Sequence, residues 1–225
     1  MLQRIVKVNT STRRVLQNRM QDVAKAPKET IRRLLFYLRQ LDCMLREGKE
    51  RFSSEDLAEV LRINPAQIRK DLSYFGEFGT RGVGYNTEQL ANELRSILNL
   101  NKHWEFVLVG VGNIGVALLR NPELKKQGFE IVMAFDKDPR VIGKTIRGVT
   151  VEDVSHLRER VEQAGTRLAI IAVSVESAQE VGDSLIEAGV EGILCFAPCY
   201  LTVPKTVRLV PIDIAMELGL LVYRL

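Results

Sequence analysis

From Pro27 onward the apolar residues recur three and four apart, at Ile31, Leu34, Leu35, Leu38, Leu41 and Leu45. That spacing predicts an amphipathic helix with one buried face, ending at Gly48. A shorter pattern follows, with Leu57, Val60 and Leu61 as its apolar face. Ser53 or Ser54 can cap it, and Glu55 and Asp56 suit the positive end of its dipole. Asn64 then caps a third helix whose first position is Pro65. Ile68 and Leu72 face inward there, leaving Ala66, Gln67, Arg69, Lys70 and Ser73 outside. Gly76, Gly79, Gly82 and Gly84 punctuate Phe75, Phe78 and Tyr85, which predicts a tight ribbon. Asn86 caps a further helix with Leu90, Leu94 and Leu98 inward, and residues 99–103 read as a linker.

The rhythm then changes. Short apolar runs at 106–109, 131–136, 168–173, 192–196 and 207–211 alternate with helical stretches at 116–119 and 178–188. A last helix follows Asp213, with Met216, Leu220 and Leu221 apolar. Alternating strand and helix predicts a doubly wound parallel sheet. The expected fold class is α/β: an N-terminal winged helix-turn-helix domain over 25–100 and a C-terminal Rossmann-like doubly wound parallel sheet over 104–211. Residues 1–24 form a basic extension whose order the sequence does not set.

Charge sharpens this division. Residues 1–103 hold 19 Lys+Arg against 12 Asp+Glu, a balance of +7; residues 104–225 hold 13 against 16, a balance of −3. The positive first half is the one suited to nucleic acid. Three cysteines, Cys43, Cys195 and Cys199, make neither a disulfide framework nor a zinc pattern. No apolar run is long enough for a secretory signal or a membrane span, so a cytoplasmic protein with no membrane partner is expected.

Two segments carry chemistry. In QIRKDLSYFGEFGTRGVGY (67–85), three cations, four aromatics and four glycines fall within 19 residues. Gln67 and Arg69 are of the types that read base edges bidentately, while Lys70 and Ser73 are suited to phosphates. Arg81, near the tip of the ribbon, suits a phosphate or a narrow minor groove. The second segment, GVGNIG (110–115), follows a strand and opens a helix, and Asp136 ends the next strand 21 residues past Gly115. This is the full context of a dinucleotide fingerprint. Gly110 permits the tight turn, Gly112 the approach of a pyrophosphate, and Gly115 close helix–strand packing. An acid at 136 favours a free ribose diol, hence NAD(H) over NADP(H).

No acid–base set for hydride transfer stands out. The histidines, His103 and His156, lie in the linker and in a charged segment, and Asp213 or Tyr200 reads better as structural. An NAD-dependent oxidoreductase with an appended basic domain is the alternative reading. A winged-helix protein binding another nucleotide, such as a coenzyme A derivative, is a third.

These residues resemble the redox-sensing transcriptional repressor Rex family. The resemblance runs from about Lys25 to the C-terminus and is densest at 67–85, continuing through GVGNIG, AFDKDP (134–139), GILCFAP (192–198) and IDIAMEL (212–218). It implies a homodimer that binds palindromic double-stranded operator DNA when NADH is scarce and leaves it when NADH closes the dimer. It also implies that residues 212–225 form a helix swapped onto the partner. By motif, Gln67, Arg69, Lys70, Ser73 and Arg81 face DNA, and Gly110, Gly112, Asn113, Ile114, Gly115 and Asp136 hold adenosine and pyrophosphate. Val173, Ala197 and Pro198 lie near the nicotinamide, and Arg39 and Asp213 form a switch pair across subunits. Residues 1–24 exceed the family's usual start. Arg120-Asn121-Pro122 stands where several relatives carry a tyrosine near the nicotinamide, which bears on NADH-over-NAD⁺ discrimination.

Overall fold

The first helix of the computed structural model, α1 (Lys28–Arg46), begins directly after Pro27, and Gly48 follows it at φ 76°. Its buried face is Leu34, Tyr37, Leu38, Leu41 and Met44. This is rotated from the expected face, for Leu35 is 45% exposed. Adjacent residues sit about 100° apart on a helix, so Leu34 and Leu35 cannot share one narrow face. Tyr37 settles which faces inward, because its hydroxyl finds a buried acceptor in Asp71 at 2.7 Å.

The structure describes residues 26–80 and 82–223, so the basic extension 1–24 and Arg81 both lie outside what is described. The chain divides into two compact units, Met1–Asn101 and Lys102–Leu225. In the first, β1 (Arg51–Phe52) leads into α2 (Ser54–Leu61). Ser53 is the cap: its Oγ accepts from the Asp56 amide at 3.1 Å, and the Asp56 carboxylate accepts from the Ser53 amide at 2.6 Å. Leu57 and Ala58 are buried, whereas Val60 is 54% exposed and does not join the apolar face. Positions 57, 58 and 61 span one contiguous arc of the helix, and 60 falls beyond its edge.

Asn64 caps α3 (Pro65–Ser73), its Oδ1 accepting from the Ala66 amide at 2.8 Å. The ribbon returns as β2 (Tyr85–Asn86), antiparallel to β1 with Phe52 opposite Tyr85. Their rings stack at 5.2 Å between centroids. A bridge from Thr80 to Gly84 closes the tip. Gly84 sits at φ 84°, and a Cβ there would run into the Phe52 carbonyl oxygen, so the turn requires glycine. Asn86 caps α4 (Thr87–Ile97), which buries Leu90, Ala91 and Leu94; Leu98 is only half-buried just past its end. Four helices and a small antiparallel wing share one core, as expected of a winged helix-turn-helix.

The second unit opens with β3 (Trp104–Val109), α5 (Asn113–Arg120), α6 (Pro122–Lys126) and β4 (Phe129–Asp136). It continues through β5 (Thr145–Ile146), β6 (Val149–Asp153), α7 (Leu157–Ala164), β7 (Leu168–Ile171) and α8 (Val175–Glu187). It closes with β8 (Gly192–Cys195), β9 (Arg208–Pro211) and α9 (Ile214–Tyr223). The sheet order is β5-β6-β4-β3-β7-β8-β9, and every pairing is parallel except β5 with β6. Both faces are covered: Val107, Val109 and Phe135 join one buried cluster, and Leu108, Ala134 and Ile170 the other. The β5–β6 hairpin, α6 and α7 escape the sequence pattern. The hairpin turns through Arg147 at φ 52° and Gly148 at φ 89°, an unusual pair for such a turn, and α7 buries only Leu157 and Val161 among charged neighbours.

Candidate nucleotide crevice and DNA-facing helix

Parallel strands bring their carboxyl ends to one edge, and the loops that leave that edge make a crevice where the strand order reverses. Here the reversal lies between β3 and β7, since β3 has β4 on one side and β7 on the other. The glycine loop leaves β3 at this point. Gly110 sits at φ 97°, and a Cβ on it would lie 2.5 Å from the Ala172 carbonyl oxygen just past β7. A Cβ on Gly115 would strike the Gly110 carbonyl, so α5 can start this close to β3 only with glycine there.

Gly112 differs from both. It caps α5 at φ −74°, a conformation open to any residue, and a Cβ there would meet nothing within 4 Å. The protein's own packing therefore does not require glycine at 112. A ligand approaching the loop would. No side chain caps α5, so its first amides, those of Asn113, Ile114 and Gly115, point outward with no intrahelical partner. This arrangement fits a pyrophosphate. Ile114 adds an apolar surface 39% exposed.

Asp136 ends β4 beside this loop. Its Oδ2 accepts from the Val111 amide at 2.6 Å and its Oδ1 from the Asp138 amide at 2.9 Å. The carboxylate thus ties the glycine loop to the end of β4, a role its spacing did not reveal. Each oxygen keeps acceptor capacity for a ribose hydroxyl. Val173 is half-buried past β7, while Ala197 is buried and Pro198 exposed past β8, so all three stand at the same edge of the sheet. Asn121 joins α5 to α6, its Oδ1 accepting from the Glu123 amide at 3.0 Å. Cys195 is buried, which pushes its thiol up and makes it a poor nucleophile. Among the described residues no cluster of metal-ligating side chains occurs, and no helix is long and apolar enough to cross a membrane.

Of the predicted DNA-facing residues, Arg69, Lys70 and Ser73 are exposed on α3, and Gln67 is half-buried. Arg69 donates from Nη1 to Ser54 Oγ at 2.6 Å and Glu55 Oε1 at 3.1 Å, which holds its guanidinium along the α2 side of a groove of about 830 Å³. The wing forms the other wall, through Phe78, Gly79 and Val83. The Ser73 hydroxyl donates to the Lys70 carbonyl at 2.7 Å. Arg39 lies on the exposed face of α1. Asp213 caps α9, its Oδ1 accepting from the amides of Ala215 and Met216 at 2.9 and 3.1 Å.

The sequence pattern passed over one cluster entirely. Asp71 on α3 is fully buried and receives five hydrogen bonds. Arg33 clamps it with Nε to Oδ2 at 2.6 Å and Nη2 to Oδ1 at 2.7 Å. Tyr37 donates to Oδ2 at 2.7 Å, Thr30 to Oδ1 at 3.2 Å, and Gln67 Nε2 to Oδ1 at 2.8 Å. Burial alone would raise the Asp71 pKa, but the hydrogen bonds from Arg33, Tyr37 and Gln67 outweigh it and hold the carboxyl below the usual range. Burial and the hydrogen bond to Asp71 push the Tyr37 phenol up. The available signal was an acid at an inward position of α3, one turn after Gln67.

Comparison with known proteins agrees with this geometry. The family described as putative DNA-binding protein N-terminus matches residues 25–73, and the CoA binding domain family matches residues 101–199. The redox-sensing transcriptional repressor Rex of Desulfitobacterium hafniense is 46% identical over 88% of this chain and 95% of its own length. Rex 1 of Thermotoga maritima is 46% identical over 89% of this chain and 96% of its own. The crystal structure of RSP in complex with β-NAD⁺ and operator DNA superposes with a TM-score of 0.85 at 36% identity, covering 88% of this chain and 92% of that one. RSP in complex with β-NADH gives 0.82 at 34% identity, covering 88% and 93%. These relatives are named as repressors, not enzymes. With such identity across nearly its whole length, the chain belongs to the redox-sensing transcriptional repressor Rex family.

Proposed function

We propose that this chain is a homodimeric transcriptional repressor that binds double-stranded operator DNA and senses the NADH/NAD⁺ ratio in the cytoplasm. The observation that carries the cofactor half is Gly112, whose missing side chain answers to no group of the protein yet faces the uncapped start of α5. In this reading Gly110, Gly112, Asn113, Ile114 and Gly115 cradle the pyrophosphate, and Asp136 accepts from the ribose diol. Val173, Ala197 and Pro198 line the nicotinamide end. On α3, Gln67, Arg69, Lys70 and Ser73 face DNA, with Arg81 in the wing.

The cofactor supplies a ring that is positive when oxidised and neutral when reduced. Adenosine and pyrophosphate are common to both forms, so contacts with them cannot discriminate. A ligand moves a two-state equilibrium only by its differential affinity for the states. An apolar edge at Val173, Ala197 and Pro198 favours the neutral ring, because burying an unpaired charge is costly. Closure around it alters the separation of the two α3 helices, which must stand about 34 Å apart to read successive major grooves.

The helix α9 supports the dimer. Ile214, Met216, Leu218, Leu220, Leu221 and Val222 are all more than half exposed, and the helix buries none of its residues within the chain. An apolar helix of this kind needs a second surface, and a swap onto a second copy supplies it. Arg39 and Asp213 are proposed as the switch pair between copies.

The test is operator binding by fluorescence anisotropy at one fixed salt concentration, titrating NADH, NAD⁺ and coenzyme A separately. Release by NADH at far lower concentration than by NAD⁺ supports the redox switch with Asn121 in place. Release by coenzyme A alone would overturn the cofactor assignment. Tight binding indifferent to all three would leave a DNA-binding protein with another effector.

A further inference from the structure

We propose that Asp71 is a positioning residue for base recognition: it fixes the orientation of the Gln67 side-chain amide and thereby sets which base Gln67 prefers. This rests on the reading that α3 faces DNA.

Gln67 and Asp71 are one helical turn apart on α3, and their side chains meet at 2.8 Å. A glutamine amide has two faces of opposite character, an acceptor oxygen and a donor nitrogen, and free in water it presents either. Asp71 removes that choice. An ionised carboxylate only accepts, so the Gln67 atom against Oδ1 must be the nitrogen. The hydrogen bonds from Arg33 and Tyr37 keep the carboxyl ionised. The carboxylate itself cannot turn, because Arg33 grips both oxygens while Tyr37 holds Oδ2 and Thr30 holds Oδ1.

The consequence falls on the half-exposed end of Gln67. One N–H of Nε2 is spent on Asp71, leaving the oxygen and the second N–H in a fixed relation. That pair matches a base edge offering a donor beside an acceptor, as adenine does through N6 and N7 in the major groove. Because α1 supplies Arg33, Tyr37 and Thr30, the position of α1 is built into the readout. A purely structural ion pair would hold α3 against α1 and affect binding to every sequence alike.

The experiment selects from a randomised duplex library with full-length wild type, Gln67→Ala, Asp71→Asn and Arg33→Lys, and measures affinity for a non-specific duplex alongside. Gln67→Ala is expected to erase preference at one position in each half-site. Asp71→Asn is expected to lower the preference at that same position by about tenfold, the loss of one well-oriented bidentate contact. Other positions and non-specific affinity should stay within about twofold, since phosphate contacts are untouched. Arg33→Lys keeps the charge but loses the fork, so it should give a smaller loss, about threefold, at the same position. An Asp71→Asn protein that binds all sequences uniformly more weakly, or that keeps the preference intact, overturns the proposal. Should Asp71→Asn not fold, an unchanged preference in Arg33→Lys overturns it equally. If Gln67→Ala changes no position, Gln67 is not a base reader and the proposal falls while DNA binding stands. If the wild type selects no sequence, the DNA-binding reading itself fails.

Discussion

Gly112 caps α5 and Gly115 stands three residues on, within its first turn, yet the structure assigns them opposite costs. Alanine at 115 would place a methyl against the Gly110 carbonyl, with the carbonyl carbon at 3.0 Å and Leu108 Cδ2 at 3.5 Å. The two closest partners, the Gly110 carbonyl oxygen and carbon, are backbone atoms, so relief requires moving α5 away from β3. Overpacking of this kind costs about 1–3 kcal/mol, and for a unit of this size lowers Tm by about 4–12 °C. Alanine at 112 meets nothing within 4 Å and needs no positive φ, so stability should change by less than about 1 kcal/mol. Its methyl would instead occupy the space proposed for the pyrophosphate. The same about 1–3 kcal/mol, now charged to binding, raises the Kd for NADH by about 5- to 150-fold. The chain has a single tryptophan, Trp104, and it lies in β3, so its fluorescence follows unfolding of this unit alone. Thermal melts followed at Trp104, paired with NADH titrations, separate the two effects. A Gly112→Ala protein that binds NADH like wild type, or one that melts as low as Gly115→Ala, would refute the reasoning.

Asp213→Ala removes both a charge and the cap of α9, whereas Asp213→Asn keeps the cap; a shifted NADH concentration for half-release of operator in both, with unchanged NADH affinity, supports the switch role, and an unchanged half-release point sinks it. Lys70→Ala should weaken binding to specific and random duplexes about equally and shallow the salt slope by about 1, read from anisotropy across a salt series. Leu220→Asp with Leu221→Asp should yield monomers in sedimentation velocity, because the apolar surface that needs a second copy is gone. Asp71 has a depressed pKa in the folded state, so its stabilisation is complete above the unfolded value near about 3.9 and is lost as pH falls through the folded value. Urea midpoints of the first unit, followed by tyrosine near-UV circular dichroism, should therefore fall more steeply with acid in wild type than in Asp71→Asn.

Much of this protein could be read from its sequence, because the features concerned are local. The caps at Asn64 and Asn86 act on amides two and three residues away, so sequence order alone places them. Strands β3, β4, β7 and β8 are nearly continuous apolar runs because both of their faces are covered, and the GVGNIG turn carries its context on either side. Rotational detail was less accessible. Which of Leu34 and Leu35 turns inward on α1, and whether Val60 or Ala58 does so on α2, depends on partners far along the chain. The β5–β6 hairpin and α7 lacked a signal because they are short and mostly solvated.

The sequence by itself determined the two-part architecture, the fingerprint loop and the chemistry that each half can host. Periodicity, capping and glycine placement encode these within a few residues. Only the tertiary structure decided that Gly110 and Gly115 answer to the protein's own backbone while Gly112 does not. It likewise decided that Asp136 braces the glycine loop, and that Arg33, Tyr37 and Thr30 converge on Asp71 across 34 to 41 residues of chain. A buried carboxylate is stable only where several donors meet in space, and that meeting is set by the packing of α1 on α3, which no local pattern records.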